Sequence, residues 1–553
     1  MTPSRLRSIS CGRVVLPLAA IFCALSLTAH SRANTLTVLH SFGAAQRPTD
    51  SLFNENELVR GGDGNFYGAQ ISAGASGTGE LFKITPDGTF TVLHDFGALT
   101  NKDSSGAGTN DDGAYPINLT AAADGNFYGL TANGGARHGT FFRITPAGAF
   151  SVLYTFSPDD PVRNSHRLAL GRDGNLYGTS SLSLDTSGLP VINGNGGAMY
   201  RFTPSGVFTV LHQFAGLPTY KYNNDGGANP NALVLGSDGN FYGTATNGGV
   251  NGTGTIFKAT PAGEVTTLHD FNAFRSTISY GGPNSGGAEP VSRLAQAGDG
   301  SFYGTTLRGS SYDRGNIFRL TPEGGYSVLY VFGGQSNGTT YDDGFGGGIL
   351  VLGRDGNFYG TSAFGSSQSG LIYKLTSDGQ FTVLHSFPDY SGEVSAEGTA
   401  PEALVEGSNG LLYGLGHAGG PQGGGTIIRF DLHPDFFADE VALNDSVYYL
   451  AFRGTGNPFG YYAYLADPSY IYHFDLGYEY LFDAADGKGG VYLYDFKSGG
   501  FFYTSPSFPF PYLYDFSLNT TLYYYPDPNN PGRYNTNGVR YFYRFDTGQI
   551  FTK

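Results

Sequence analysis

One hexapeptide recurs through most of this chain, and its recurrence limits the fold more than any other feature. DGNFYG stands at 63–68, 124–129, 238–243 and 355–360, with the variants DGNLYG at 173–178, DGSFYG at 299–304 and NGLLYG at 409–414. The seven copies are spaced 49 to 65 residues apart. A second string follows each of the first six: TPDG at 85–88, TPAG at 145–148 and 260–263, TPSG at 203–206, TPEG at 321–324 and TSDG at 376–379. A third follows directly, as in FTVLHDF at 90–96 and FTVLHSF at 381–387. Three spaced strings recurring together mark a repeat architecture, in which each unit buries its apolar face only against its neighbours.

Each string has a local physical reason. A short apolar run precedes each Asp-Gly and Phe-Tyr-Gly follows it, which predicts a hairpin with a type I′ turn and positive φ at both central residues. TPxG places Pro where φ near −65° is wanted and Gly where a left-handed residue closes the turn. Each unit then reads as four antiparallel strands. In the fourth repeat these are A at 232–237, B at 240–246, C at 254–260 and D at 264–271. In FTVLHDF, alternation puts Phe90, Val92, His94 and Phe96 on one face and Leu93 on the other. Apolar residues on both faces mean that the sheet is covered on both sides.

Four-stranded sheets packed face to face around an axis make a propeller. The seventh unit has A (403–408), B (411–415) and C (426–430) but no D, and the missing string stands at 36–42 as LTVLHSF. The expected fold class is therefore all-β: a seven-bladed β-propeller closed by an N-terminal strand, followed by a small aromatic-rich β-hairpin domain. Closure by residues 36–42 would remove an open sheet edge.

The run GGANPNALVLGSDGNFYGTATNGG…GTIFKATPAGEVTTLHDF at 226–271 resembles the GloVer-type tandem repeat of secreted bacterial proteins. The resemblance covers about residues 35–430. It implies export and display, with variable surface anchors, and no reaction. This chain departs from it in having no recognisable C-terminal anchor: no late apolar helix, sorting motif or basic tail.

Residues 1–33 read as a secretory signal. Arg5, Arg7 and Arg13 precede an apolar stretch from Val14 to about Ala29, and Ser31-Arg32-Ala33 offers small residues at a cleavage site. Phe22 before Cys23 disfavours a lipid-attachment motif. Both cysteines, Cys11 and Cys23, lie in this segment, so the mature chain has no disulfide, thiolate metal site or cysteine nucleophile. The segment takes four arginines and no acids from 31 basic and 46 acidic residues, leaving 27 against 46 and a net charge of −19. That balance disfavours nucleic acid and anionic lipid as partners. The expected division is 1–33 signal, 34–431 propeller, 432–440 linker and 441–553 a Tyr/Phe-rich β domain.

That last stretch carries 20 of the 39 tyrosines. Runs such as VYLYDFKSGGFFYT (491–504), YLYDFSLNTTLYYY (512–525) and YFYRFDTGQIFTK (541–553) each read as strand, polar turn and strand. Cross-strand aromatic pairs are expected to stabilise these hairpins. The strands are mostly shorter than a membrane barrel requires.

No phosphate-binding loop, HExxH pair or nucleophile elbow occurs, and no catalytic residue, metal ligand or cofactor is assigned. His40, His94, His212, His269 and His385 share one repeated position, with Tyr154 and Tyr330 in the other two units. Packing or a local hydrogen bond accounts for them better than a shared metal. Acidic loops precede some A strands: Asn110-Asp111-Asp112-Gly113, Asn223-Asn224-Asp225-Gly226 and Tyr341-Asp342-Asp343-Gly344. Such loops suit Ca²⁺ or, equally, self-bonded turns. Long connections on a rigid scaffold are where binding residues usually sit. Asp111, Asp112, Asp225, Asp342 and Asp343 are therefore the candidate ligand-binding residues. The functional expectation is a non-enzymatic extracellular or cell-surface binding or scaffold protein; its ligand is not identified by the sequence, with a glycan or a protein as the candidate classes. The alternative is a polysaccharide-active hydrolase or lyase, with the aromatic tail as a sugar-stacking module.

Overall fold

The structure is a computed structural model. It describes residues 35–43, 57–104, 106–160, 165–181, 196–216, 224–273, 284–333, 343–346, 348–362, 370–388, 395–399, 401–416 and 418–431. In the tail it describes 440–442, 448–451, 458–464, 470–473, 477–483, 491–497, 500–504, 512–525 and 539–553. The signal segment, most of the proposed linker and the 182–195 connection lie outside the described residues.

Among the described residues every regular element is a strand. Small antiparallel sheets follow the repeats, each running from strand A at one edge to strand D at the other; these are called the inner and outer strands below. The second sheet is Ala114–Ala121, Phe127–Asn133, Thr140–Ile144 and Phe150–Thr155 in that order. In the seventh, Thr35–Gly43 pairs with Gly423–Asp431, Leu36 lying opposite Phe430 and Val38 opposite Ile428. The N-terminal strand thus takes the outer place that the sequence left empty.

Apolar clusters join each sheet to the next. One holds Tyr67 and Leu81 of the first sheet with Phe127 and Phe142 of the second. Another holds Phe66 and Phe82 of the first with Tyr413 and Ile427 of the seventh. The rings of Phe66 and Tyr413 lie 4.1 Å apart.

The hairpins differ from expectation in turn type. Gly61 N–H donates to Asn65 O at 2.8 Å and Gly64 N–H to Gly61 O at 3.1 Å, so the loop has three residues. Such a loop needs only its last residue left-handed. Gly64 is, at φ 80°, and Asp63 is not. Asp63 instead accepts from the Asn65 backbone at 3.2 Å and from the Tyr67 hydroxyl at 2.7 Å. The same Asp–Tyr bond recurs at Asp124–Tyr128, Asp173–Tyr177, Asp238–Tyr242 and Asp355–Tyr359. This accounts for both ends of DGNFY.

Strand D also departs from simple alternation. Leu81 faces His94 but Phe82 faces Val92, which leaves Leu93 as a bulge. A bulge carries the following residues to the other face. Phe90 consequently packs toward the preceding sheet, whereas Leu93 and Phe96 pack toward the following one. Val92 is left 46% exposed rather than sharing their face. The bulge carbonyl is used between sheets: a Cβ on Gly148, the glycine of TPAG, would lie 3.1 Å from Leu93 O. The glycine therefore serves close approach as well as the turn.

The tail is one meander of successive antiparallel hairpins from Glu440–Ala442 to Gln549–Thr552. It curls on itself. Arg540 reaches Asp495 at 2.6 Å, with both side chains fully buried. Arg540 directly precedes Tyr541–Arg544, four strand places along from Val491–Asp495, a gap of roughly 19 Å in a flat sheet. Val491, Leu493, Phe502, Leu513, Leu522 and Phe542 line the buried face.

Candidate functional site

The inner strands carry a second irregularity. In the second sheet Pro116 faces Thr131 and Leu119 faces Gly129, so one extra residue bulges between them. In the fourth, Pro230 faces Ala245 and Val234 faces Tyr242, again one extra. The fifth has two extra between Pro290 and Ala295, which face Thr306 and Tyr303. Proline is tolerated here because an innermost strand has a free edge. Bulges re-aim side chains, and the residue re-aimed is the one before a buried leucine: Asn118, Ala232 and Arg293 before Leu119, Leu233 and Leu294. The same place is held by Glu57, Arg167, Ile349 and Ala403 in the other units.

Three of these residues meet although their sheets are not neighbours. Glu57 of the first unit, 4% exposed, bonds Arg293 of the fifth at 3.0 Å and Arg167 of the third. The first, third and fifth units thus meet through residues that lead into their A strands. Asn118 Oδ1 accepts from Glu57 N–H at 3.4 Å, while its buried Nδ2 has no hydrogen-bond partner among the described residues. Two guanidinium groups against one carboxylate give this layer a net positive charge within a chain of net charge −15.

The layer is held by a repeated latch. A threonine of strand B reaches the residue two places before the next unit's inner leucine: Thr179 Oγ1 donates to Asn231 O at 2.8 Å, Thr244 to Ser292 O at 3.3 Å and Thr305 to Gly348 O at 3.0 Å. The residue before each inner proline is also bonded backward. Tyr115, Asn229 and Glu289 have φ between 53° and 59°, and donate to Thr78 O, Gly196 O and Thr253 O. Non-glycine residues at positive φ persist only where surrounding structure over-determines them.

The acidic-loop residues have other placements. Asp112 is half-buried and bonds His94 Nε2 at 3.1 Å and the Gly97 N–H at 2.9 Å. Burial raises its carboxyl, but those bonds outweigh burial and hold it below the usual range. Asp343, 2% exposed, accepts from the Tyr330 hydroxyl at 2.8 Å and the Gly333 N–H at 3.0 Å. Asp160 with Tyr154 and Glu397 with His385 repeat the arrangement. Each of these acids anchors a connecting loop to the strand D that the loop leaves. Asp111 is exposed, Asp342 lies outside the described residues, and so does the side chain of Asp225. The repeated histidines pack: His40 stacks on Phe90 at 4.0 Å and His94 on Phe150 at 3.8 Å. Among the described residues no three His, Asp or Glu side chains are grouped to hold a metal.

These residues leave no mark in the repeated strings. Their signal is the opposite one: the position before each inner leucine changes from unit to unit, Glu, Asn, Arg, Ala, Arg, Ile, Ala.

The pattern described as the Gloeobacter/Verrucomicrobia repeat matches this sequence in tandem over residues 26–188, 105–273, 192–347 and 296–454. The chain belongs to the Gloeobacter/Verrucomicrobia repeat family. This repeat protein is similar in structure to a streptogramin B lyase, at 15% identity, 73% of this chain, all of that chain and a TM-score of 0.44. It is also similar to a puromycin hydrolase, at 13% identity, 71% of this chain, 55% of that chain and a TM-score of 0.40. A gluconolactonase from Xanthomonas campestris gives 12%, 73%, 97% and 0.32 in the same order. No protein of curated function matches the sequence.

Proposed function

We propose that this repeat protein is an exported, extracellular or cell-surface binding protein without catalytic activity, built on a closed seven-bladed propeller. It takes its ligand at the axial end where the inner strands begin. The carrying observation is the break in repetition at one layer: Glu57, Asn118, Arg167 and Arg293 stand where other units place Ala232, Ile349 and Ala403. A scaffold repeats, and a single site must break the repeat. Clusters joining every sheet to the next, including the seventh to the first, support the closed ring.

The charge of the layer selects the ligand. Two guanidinium groups present planar donors suited to a carboxylate, so the ligand carries a carboxylate or a similar anion, as an acidic glycan or a peptide does. Binding is favoured over glycoside cleavage because that reaction needs two carboxyl groups facing the substrate. The axial layer supplies one, and two arginines already hold it. Calcium at the acidic loops belongs to the same proposal only as a loop stabiliser.

The test is calorimetric titration of the mature protein with acidic and neutral oligosaccharides of equal length. Binding of the acidic set, weakened at least tenfold in Arg293→Ala, is expected. Equal binding of both sets, indifference to Arg293→Ala and Arg167→Ala, or release of a cleaved product would overturn the reading.

A further inference from the structure

The tail carries a second arrangement, independent of the axis. Burial alternates along its strands. Val491, Leu493 and Asp495 are fully buried, and Tyr492 and Tyr494 lie half-buried on the opposite face. On that face a three-ring group occurs twice. Tyr492 stands directly across from Tyr503, with ring centroids 5.6 Å apart and planes at 55°. Phe516, from the next hairpin, completes the group 5.6 Å from Tyr492 at 60°. One hairpin later Tyr512 stands across from Tyr523, 5.1 Å apart at 67°, and Phe545 of the following hairpin lies 6.1 Å from Tyr512, more nearly parallel to it at 28°, so that the corner there is the one between the two tyrosines.

The third ring is placed by the same backbone bond in both groups. Phe516 N–H donates to Phe501 O at 3.2 Å, and Phe545 N–H to Thr521 O at 3.4 Å. Phe516 and Phe545 are 48% and 52% exposed. Two large apolar rings are thus held in water at equivalent places beside paired tyrosines. The last hairpin breaks the pattern, since Tyr541 faces Thr552.

Rings meeting at 55° to 67° form corners rather than a flat platform. A pyranose stacks best on an open, flat ring face. A compact cation carrying methyl groups fits a corner, where several negative ring faces converge on it. We propose that each corner binds a quaternary ammonium group. The excess of 46 acidic over 31 basic residues raises the local concentration of such cations. Tyr492 and Tyr512 lie two strand places apart, roughly 10 Å. A polymer or lipid surface bearing many ammonium groups would therefore engage both corners at once and gain by linkage.

The test uses ligand-observed NMR on the full mature chain, with choline and its uncharged isostere 3,3-dimethylbutan-1-ol as probes. Choline is expected to bind in the millimolar range, at least about threefold more tightly than the isostere. Phe516→Leu together with Phe545→Leu, at exposed turn positions that leave the fold intact by circular dichroism, should abolish that preference, and Tyr503→Phe should keep it. Sedimentation with phosphatidylcholine vesicles then separates a lipid source from a choline-bearing polymer, either of which supports the site. Equal binding of choline and isostere, binding of cello-oligosaccharide in place of choline, or an unchanged preference in the double variant would overturn it.

Discussion

At the outer edge of the sheets, His40, His94 and Tyr330 each stack on a ring of the next unit at 3.8 to 4.0 Å. At the inner edge, Glu57, Asn118, Arg167 and Arg293 stand where other units have alanine or isoleucine. Both edges contain a bulge, yet they use it differently. The outer bulge, at Leu93 and its equivalents, turns an aromatic residue toward the next sheet and receives a glycine against its carbonyl. The inner bulge re-aims the side chain before a buried leucine, and at that place Glu57, Arg167 and Arg293 of three units meet. A geometry that repeats can be met by the same residue each time. Side chains that meet one another must differ, here one carboxylate between two guanidinium groups. This contrast teaches where to look for a ligand in a repeat protein: at the layer where symmetry makes the units meet.

The largest expected effect tests the outer edge. Deleting 34–43 strips Gly423–Asp431 of its partner strand and leaves an open edge with half-covered Phe66, Phe82 and Tyr413. Cooperative thermal unfolding should be lost and the protein should aggregate on size-exclusion chromatography. A deletion variant that melts with the parent would remove the outer edge from the comparison and closure with it.

Next comes the axis. Glu57→Ala leaves Arg167 and Arg293 facing each other without their shared acceptor, and should cost about 3 kcal/mol in urea unfolding, since stranding one side of a buried ion pair is costly. Asp112→Ala at the rim removes one half-buried loop anchor and should cost about 1 kcal/mol. Equal costs at the two sites would mean that the axial cluster is an ordinary loop anchor.

Glu80 sharpens the comparison by pH. It is the first residue of strand C, Glu80–Ile84, 5% exposed and directly opposite Asp95. Burial, with repulsion from Asp95, pushes its carboxyl up to about 7. A folded-state value above the unfolded one means that the folded protein holds the proton more tightly. Stability therefore falls as pH rises from about 4.5 to about 7. Glu80→Gln should remove that fall, gaining about 2 kcal/mol near pH 8 and nothing near pH 4. Melting curves that separate at low pH instead would reverse the sign and sink the assignment.

The smallest effect concerns the latch between the edges. Thr305→Val deletes the bond to Gly348 O while keeping the side-chain shape, and should lower stability by about 1 kcal/mol. Because the bond holds the segment that leads into Ile349 and Leu350, axial ligand binding should weaken along with it, whereas Asp112→Ala should leave binding unchanged.

Much of this architecture was legible in the sequence because its cause is local. Asp-Gly and TPxG set turns within five residues, and the phase of LTVLHSF at 36–42 against the missing final strand set which termini pair. Turn type was misread at Asp63 because a three-residue loop and a two-residue loop share the same dipeptide, and only backbone hydrogen bonds tell them apart. The faces of strand D were misread because a bulge at Leu93 leaves no mark in composition. The axial site was least legible. Glu57, Arg167 and Arg293 are separated by more than a hundred residues each, and nothing in their neighbours records that they meet. The unit, its strands and its number of copies are written along the chain, because they follow from turns and alternation over short distances. Which unlike residues face one another is set by the folded protein, because contacts between units that are not neighbours arise from the packing of whole sheets.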